Sequence, residues 1–369
     1  MNVPIIDLKA QYAALEAEID ASLKRVCRSA AFALGPEVEQ FERDWAAYCE
    51  AEHCIAVQSG TAALLLALRA LDVGEGDEVI TAATSFFATA EAIIYTGARP
   101  VFADVDRETA CIDPARAEEL ITGRTRAIMP VHLFGHPADM DPLLELAEAR
   151  GIAVIEDACQ AHGALYKGRK LGALGQVGTY SFYPTKNLGA YGDAGAVVTN
   201  DAEIAECARM LRNHGQNARY HHARVGYNYR MSGFQGAVLN TKLPYLDGWN
   251  KRRRALAAHY SQALAAVGVT PAYEADWAFC VWHQYPIRTD RRDALQAYLA
   301  EAGVSTGIHY PIPIPDLEAM QNPAPRCAPA DLPEAAAWAR EELSLPMYAE
   351  MTDEQVEYVI ETVKAFFSA

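Results

Sequence analysis

No apolar run in this chain reaches the length needed to cross a bilayer, which excludes a helical membrane protein. Excess positive charge is also missing. The formal net charge is −16, which argues against nucleic acid as a main partner while leaving room for a local anion site. The eight cysteines are scattered with no C-x-x-C pair, and the ten histidines show no H-x-x-x-H spacing. Reduced thiols and no metal centre are therefore expected. Met1-Asn2-Val3-Pro4 offers neither a basic segment nor an apolar one of the kind a secretion signal needs, so a cytoplasmic location is expected. Internal repeats and low-complexity segments are absent too.

What is present is an ordinary folded composition over 369 residues, with 51% apolar and 22% charged residues. That is enough chain for about two domains. Short apolar runs alternate with helical patterns. Residues 54–57, 78–81, 100–105, 127–131 and 151–157 read as strands. Residues 11–32, 36–48, 62–71, 88–96, 141–150 and 201–213 read as helices. The alternation predicts βαβ units, an α/β fold and a mainly parallel sheet, with ligands beyond the carboxyl ends of the strands. After a long helix over about 245–266 the pattern changes to shorter elements. A strand is expected over 282–287, a helix over 290–302, and extended chain over the proline-rich 309–315. The division is expected near 245, giving a large domain (1–245) and a smaller α+β one (246–369). Lys251-Arg252-Arg253-Arg254 reads as a solvated helix face.

The chemistry concentrates around Ser181-Phe182-Tyr183-Pro184-Thr185-Lys186-Asn187. A lysine beside a turn is most often a solvated surface residue. This one, however, follows a buried strand ending in Glu156 and Asp157 and precedes a glycine-rich turn (Gly189, Gly192, Gly195). A lysine that can form a Schiff base and a carboxylate that can hold a pyridinium nitrogen protonated suggest pyridoxal phosphate (PLP). Ser59-Gly60-Thr61, between a strand and a helix, is a candidate anion site at a helix N-terminus. Gly172-Ala173-Leu174-Gly175-Gln176-Val177-Gly178 looks like a nucleotide loop but lacks the strand–turn–helix context.

Several motifs in order carry a resemblance. They are Gly35-Pro36-Glu37-Val38, Ser59-Gly60-Thr61-Ala62-Ala63-Leu64, Gly76-Asp77-Glu78-Val79-Ile80, Glu156-Asp157-Ala158-Cys159-Gln160, the Lys186 stretch, Gly192-Asp193-Ala194-Gly195-Ala196, His309-Tyr310-Pro311 and Leu345-Pro346-Met347. Over nearly the whole chain the sequence resembles the DegT/DnrJ/EryC1/StrS family of fold-type-I PLP-dependent aminotransferases that act on nucleotide-linked keto sugars. The resemblance implies a mainly parallel mixed sheet flanked by helices, a PLP-binding domain over 1–245 and a small C-terminal domain over 246–369.

It also implies roles, residue by residue. Lys186 is the Schiff-base lysine and proton shuttle, Asp157 the partner of the ring nitrogen, Gln160 the contact to the ring hydroxyl and Phe86 the stacking aromatic. Gly60, Thr61 and Ser181 form the phosphate cradle. Asn228 reaches the phosphate from a neighbouring subunit, which implies a homodimer with shared sites. Arg230 is a candidate for a donor carboxylate or nucleotide phosphates, or else for a surface ion pair; His309 and Tyr310 are candidates for substrate contact. The reaction implied is ping-pong transfer from L-glutamate, through pyridoxamine phosphate, to a keto sugar. A sugar dehydratase of the same fold carries histidine where Lys186 stands, and a non-catalytic PLP-binding regulator is the remaining alternative. His214-Gly215-Gln216, Tyr220-His221-His222 and Gly226-Tyr227-Asn228 resemble enzymes that aminate C3, whereas Asn228-Tyr229-Arg230-Met231 is closer to the 4-amino type. The balance favours C3 over C4.

Overall fold

The computed structural model describes residues 1–321 and 331–368. Its centre is a seven-stranded sheet built from β1 (His53–Val57), β2 (Glu78–Ala82), β3 (Arg99–Ala103), β4 (Thr125–Met129), β5 (Ala153–Asp157), β6 (Val177–Ser181) and β7 (Gly195–Thr199). The strand order is β1-β7-β6-β5-β4-β2-β3. Strands β2 to β6 run parallel to one another, while β7 is antiparallel to both β6 and β1. The expected α/β class and mainly parallel mixed sheet are what the chain forms.

Helices cover both faces, which is why these strands read as continuous apolar runs rather than alternating ones. Along β7, Val198 packs with Phe41 and Trp45 of α2 (Pro36–Tyr48), whereas Val197 packs with Leu65 of α3 (Gly60–Ala70) and Ile93 of α4 (Ala88–Tyr95). Period-two side-chain alternation thus feeds two cores from one strand. Helix α1 spans Leu8–Ser29, three residues ahead of the predicted start. The Asp7 carboxylate accepts from the N–H groups of Lys9 and Ala10, and Ala30 leaves the helix in the left-handed conformation at φ 53°.

A third core gathers Leu256 and Tyr260 of the helix Leu246–Leu264, Tyr285 of the strand Tyr285–Arg288, Leu343 of its antiparallel partner Glu342–Leu345, and Val359 of the helix Asp353–Ser368. Val3 joins this core from the other end of the chain. Three local expectations are corrected here. The Lys251–Arg254 run is only partly solvated: Arg253 is 4% exposed and donates to the carbonyls of Trp282, His283 and Met347. The strand predicted from 282 begins at Tyr285, because Trp282 takes a left-handed conformation (φ 44°) and that carbonyl clamp holds the preceding backbone. Finally, the stretch expected to be extended to 315 ends in a 3-10 turn over Ile314–Asp316.

The seven described cysteines are free thiols, five of them buried; Cys327 lies outside the described residues. No described helix is long and apolar enough to cross a membrane. Among the described residues no His, Cys, Asp and Glu side chains cluster in a way that could hold a metal.

Candidate active site

The carboxyl ends of the strands deliver the candidate residues to one place. Gly60, Thr61, Phe86, Asp157, Gln160, Ser181, Lys186, His309 and Tyr310 all line a cavity of about 530 Å³. Asp157 ends β5 and Ser181 ends β6. Ser59 caps α3, its Oγ accepting from the Ala62 N–H at 3.1 Å, and this sets the free N–H groups of the helix start at the cavity edge. The glycine at position 60 is a packing requirement. A Cβ there would meet the Ser181 Cβ at 2.6 Å and the Cys159 Sγ at 3.2 Å.

Asp157 is 4% exposed. Its Oδ2 accepts from Thr89 Oγ1 at 2.8 Å, and its Oδ1 accepts from the Cys159 N–H at 3.2 Å. The Lys186 backbone N–H donates to the Tyr183 carbonyl at 2.8 Å, while its ammonium makes no hydrogen bond or ion pair among the described residues. Desolvation lowers its pKa, against the opposing pull of Cys159 and Asp157. Gln160 is oriented by its neighbours: Oε1 accepts from the Phe134 N–H at 2.7 Å and Nε2 donates to the Tyr310 hydroxyl at 3.3 Å. Phe86 stands at the rim, 58% exposed, with its ring centroid 5.9 Å from that of Tyr310.

Three imidazoles surround the lysine, and all stay neutral. Burial first and Lys186 second push His309 down to about 4 and His162 down to about 3, and push His283 well below its ordinary value. His162 Nε2 lies 2.8 Å from the Ser181 carbonyl, which can only accept, so this nitrogen carries the ring hydrogen. Lysine chemistry here is therefore not shared with an imidazolium.

Two predicted residues are not brought into this cavity by their own chain. Asn228 is exposed, and its Oδ1 accepts from Arg230 Nη2 at 2.6 Å, while Arg230 Nη1 donates to Asn213 at 3.0 Å. Residues that sequence reasoning passed over are Thr89, the second residue of α4, and His283 and Gln284, in the segment held by Arg253. Nothing in the local pattern marks them; packing alone places them. The glycine-rich stretch from Gly172 turns out to serve the protein's own carboxylate. The N–H groups of Gly172, Leu174 and Gly175 donate to Glu156 at 2.8, 2.7 and 2.9 Å. Burial pushes that carboxyl up, but His132 and these bonds outweigh it and hold it below its ordinary value. A hollow of about 600 Å³ beside Ile152 and Gln176 lies at the opposite end of the strands and gathers no comparable set of side chains.

The arrangement fits PLP. It offers a lysine with a destabilised ammonium, a fixed carboxylate, a helix N-terminus for a phosphate and a glycine whose missing Cβ keeps the cradle open. A family profile, the DegT/DnrJ/EryC1/StrS aminotransferase family, matches residues 13–364. A pleiotropic regulatory protein of Geobacillus stearothermophilus is 48% identical, covering 100% of this chain and 99% of that one. The dTDP-3-amino-3,4,6-trideoxy-alpha-D-glucose transaminase of Streptomyces venezuelae is 47% identical, covering 98% and 96%. The crystal structure of S. venezuelae DesV in complex with a ketimine intermediate superposes with a TM-score of 0.97 at 47% identity, covering 100% of this chain and 99% of that one. The chain belongs to the DegT/DnrJ/EryC1/StrS aminotransferase family and is a PLP-dependent aminotransferase.

Proposed function

We propose that this protein transfers an amino group from L-glutamate to a keto carbon of a nucleotide-linked sugar, C3 in preference to C4, in two half-reactions that alternate PLP and pyridoxamine phosphate. The observation that carries the reading is Lys186. It is the only lysine or arginine lining the cavity among the described residues, and desolvation lowers its pKa. When bound, PLP supplies an electron sink for the charge left as the amino group changes hands. The chain's residues do the rest. Lys186 holds the cofactor covalently and, when released, moves a proton at Nζ. Asp157 would hold the ring nitrogen protonated, and Thr89 and the Cys159 N–H keep its carboxylate aimed. Gln160 would meet the ring hydroxyl, Phe86 would cover the ring face, and Gly60, Thr61 and Ser181 would receive the phosphate. His309 and Tyr310 line the space left for the sugar.

One chain does not complete the charge balance. The cofactor phosphate and a sugar diphosphate need cations that this cavity lacks apart from Lys186. Asn228 and Arg230 are bonded to each other on the exposed surface. We assign them to the cavity of a second copy, giving a homodimer with shared sites. We divide the chain into a large cofactor-binding domain over 1–245 and a small one over 246–369, with Val3 packed back into the core of the small one; the 3-10 turn Leu243–Tyr245 ahead of the helix Leu246–Leu264 supports this division.

The lysine speaks against a dehydratase, in which histidine stands at that position. A purely regulatory role is disfavoured because the cavity holds the lysine, the carboxylate and the phosphate cradle together. The preference for C3 is supported by the name of the Streptomyces venezuelae relative. Its test is incubation of the PLP-loaded enzyme and L-glutamate with 3-keto and 4-keto nucleotide sugars, followed by NMR of the products. Nitrogen at C3 is the expected outcome; amination of the 4-keto substrate alone would overturn that choice.

A further inference from the structure

Glu342 opens the strand Glu342–Leu345 and is fully buried. Its two oxygens face different donors. Oε2 accepts from the His309 backbone N–H at 2.6 Å, and Oε1 accepts from the Ser344 hydroxyl at 2.6 Å. The same hydroxyl oxygen lies 2.9 Å from His309 Nδ1, and the His309 ring lines the cavity. A backbone N–H can only donate. Oε2 must therefore stay an acceptor, and any proton on Glu342 belongs at the Ser344 end.

We infer that Glu342, acting through Ser344, sets which nitrogen of His309 carries its hydrogen, and so whether His309 presents an acceptor or a donor to the cavity. With Glu342 ionised, Ser344 donates to the carboxylate and its oxygen accepts from Nδ1–H, leaving Nε2 as an acceptor. With Glu342 protonated, its O–H donates to Ser344, and the serine hydroxyl turns to donate to Nδ1. The ring then gives its Nδ1 proton to water and takes one at Nε2. The net change is a single proton, bound by Glu342.

The surroundings favour this exchange near neutrality. Burial pushes the Glu342 carboxyl up to about 7, against the hydrogen bonds from Ser344 and His309 and the charge of Arg292. Arg292, on the helix Arg292–Glu301, also donates to the Glu342 carbonyl at 3.3 Å. Arg288 sits opposite Glu342 across the strand pair, Glu341 adjoins it in sequence, Tyr310 feels its charge, and Lys186 lies beyond His309. Because His309 itself is held down to about 4, the ring stays neutral while its tautomer changes. The inference rests on the proposed function only for what the ring meets: an acceptor suits a sugar hydroxyl, a donor a carbonyl or phosphate oxygen.

The test is two-bond proton–nitrogen correlation NMR on the full PLP-loaded protein carrying nitrogen-15 histidine, with a His309→Asn spectrum to assign the signal. Wild type should carry hydrogen on Nδ1 well above pH 7 and on Nε2 well below it. In Glu342→Gln the amide oxygen must face the His309 N–H and the amide nitrogen must donate to Ser344, so Nε2–H is expected at both pH values. Ser344→Ala should abolish the pH dependence while leaving Glu342 in place. One unchanging tautomer in wild type would overturn the inference, as would a pH-dependent exchange that survives in either variant. These readouts do not involve a sugar, so failure of the substrate assignment would leave them unaffected.

Discussion

Thr89 Oγ1 donates to Asp157 Oδ2 at 2.8 Å, and because its single hydrogen is committed there, the Ser85 hydroxyl 2.9 Å away must donate to Thr89. A directed line of hydroxyls therefore ends on the carboxylate assigned to the cofactor nitrogen. A hydrogen bond to a charged group contributes about 1.5–3 kcal/mol. Thr89→Val keeps the shape and removes the donor, so PLP should be held about tenfold less tightly or worse. Fluorescence titration of PLP into the apoprotein measures this, and Thr89→Ser should restore wild-type binding.

Asp157→Asn removes the charge itself. The loss of one preorganised electrostatic partner costs on the order of 10²–10³ in turnover. Single-turnover kinetics with L-glutamate should show a fall of at least that order. Wild-type rates would remove Asp157 from the site.

Gly60→Ala places a methyl group where Ser181 Cβ already lies 2.6 Å away. Ser181 ends a central strand and cannot yield freely, so the α3 N-terminus has to shift. The expected result is weakened binding of the cofactor phosphate, read as slower uptake of PLP than in wild type, with little change in far-UV circular dichroism.

Shared sites predict complementation. Lys186→Ala and Asn228→Ala proteins should each be inactive or nearly so. Mixed and re-annealed, they should regain about a quarter of wild-type activity, since half the random dimers then hold one intact site of two. No recovery, with subunit exchange verified by mass, would place Asn228 outside the neighbouring site.

Much of this was legible before the structure. The strands β2, β4 and β5 are apolar on both faces, so their runs stand out, and the alternation with helices leads to a parallel sheet. The direction of β7 was not legible, because an apolar run says nothing about which way it crosses the sheet. Lys186, Asp157 and the Ser59–Thr61 turn announce themselves by residue type beside turns. Thr89 and Glu342 do not: each looks like an ordinary helix or strand residue, and only tertiary packing brings it to Asp157 or His309. Arg253 shows the limit of reading charge locally. Four consecutive basic residues suggest a solvated face, yet only Lys251 is exposed and three backbone carbonyls draw Arg253 inside.

The central claim is that Lys186 carries the cofactor and drives the first half-reaction. The most direct measurement is the visible spectrum of the PLP-reconstituted protein before and after L-glutamate, for wild type and Lys186→Ala. Wild type should be yellow and bleach on glutamate, while Lys186→Ala, with an unchanged thermal transition, should show no turnover. A wild-type protein that stays colourless after reconstitution, or a Lys186→Ala protein that still transaminates, would contradict the account.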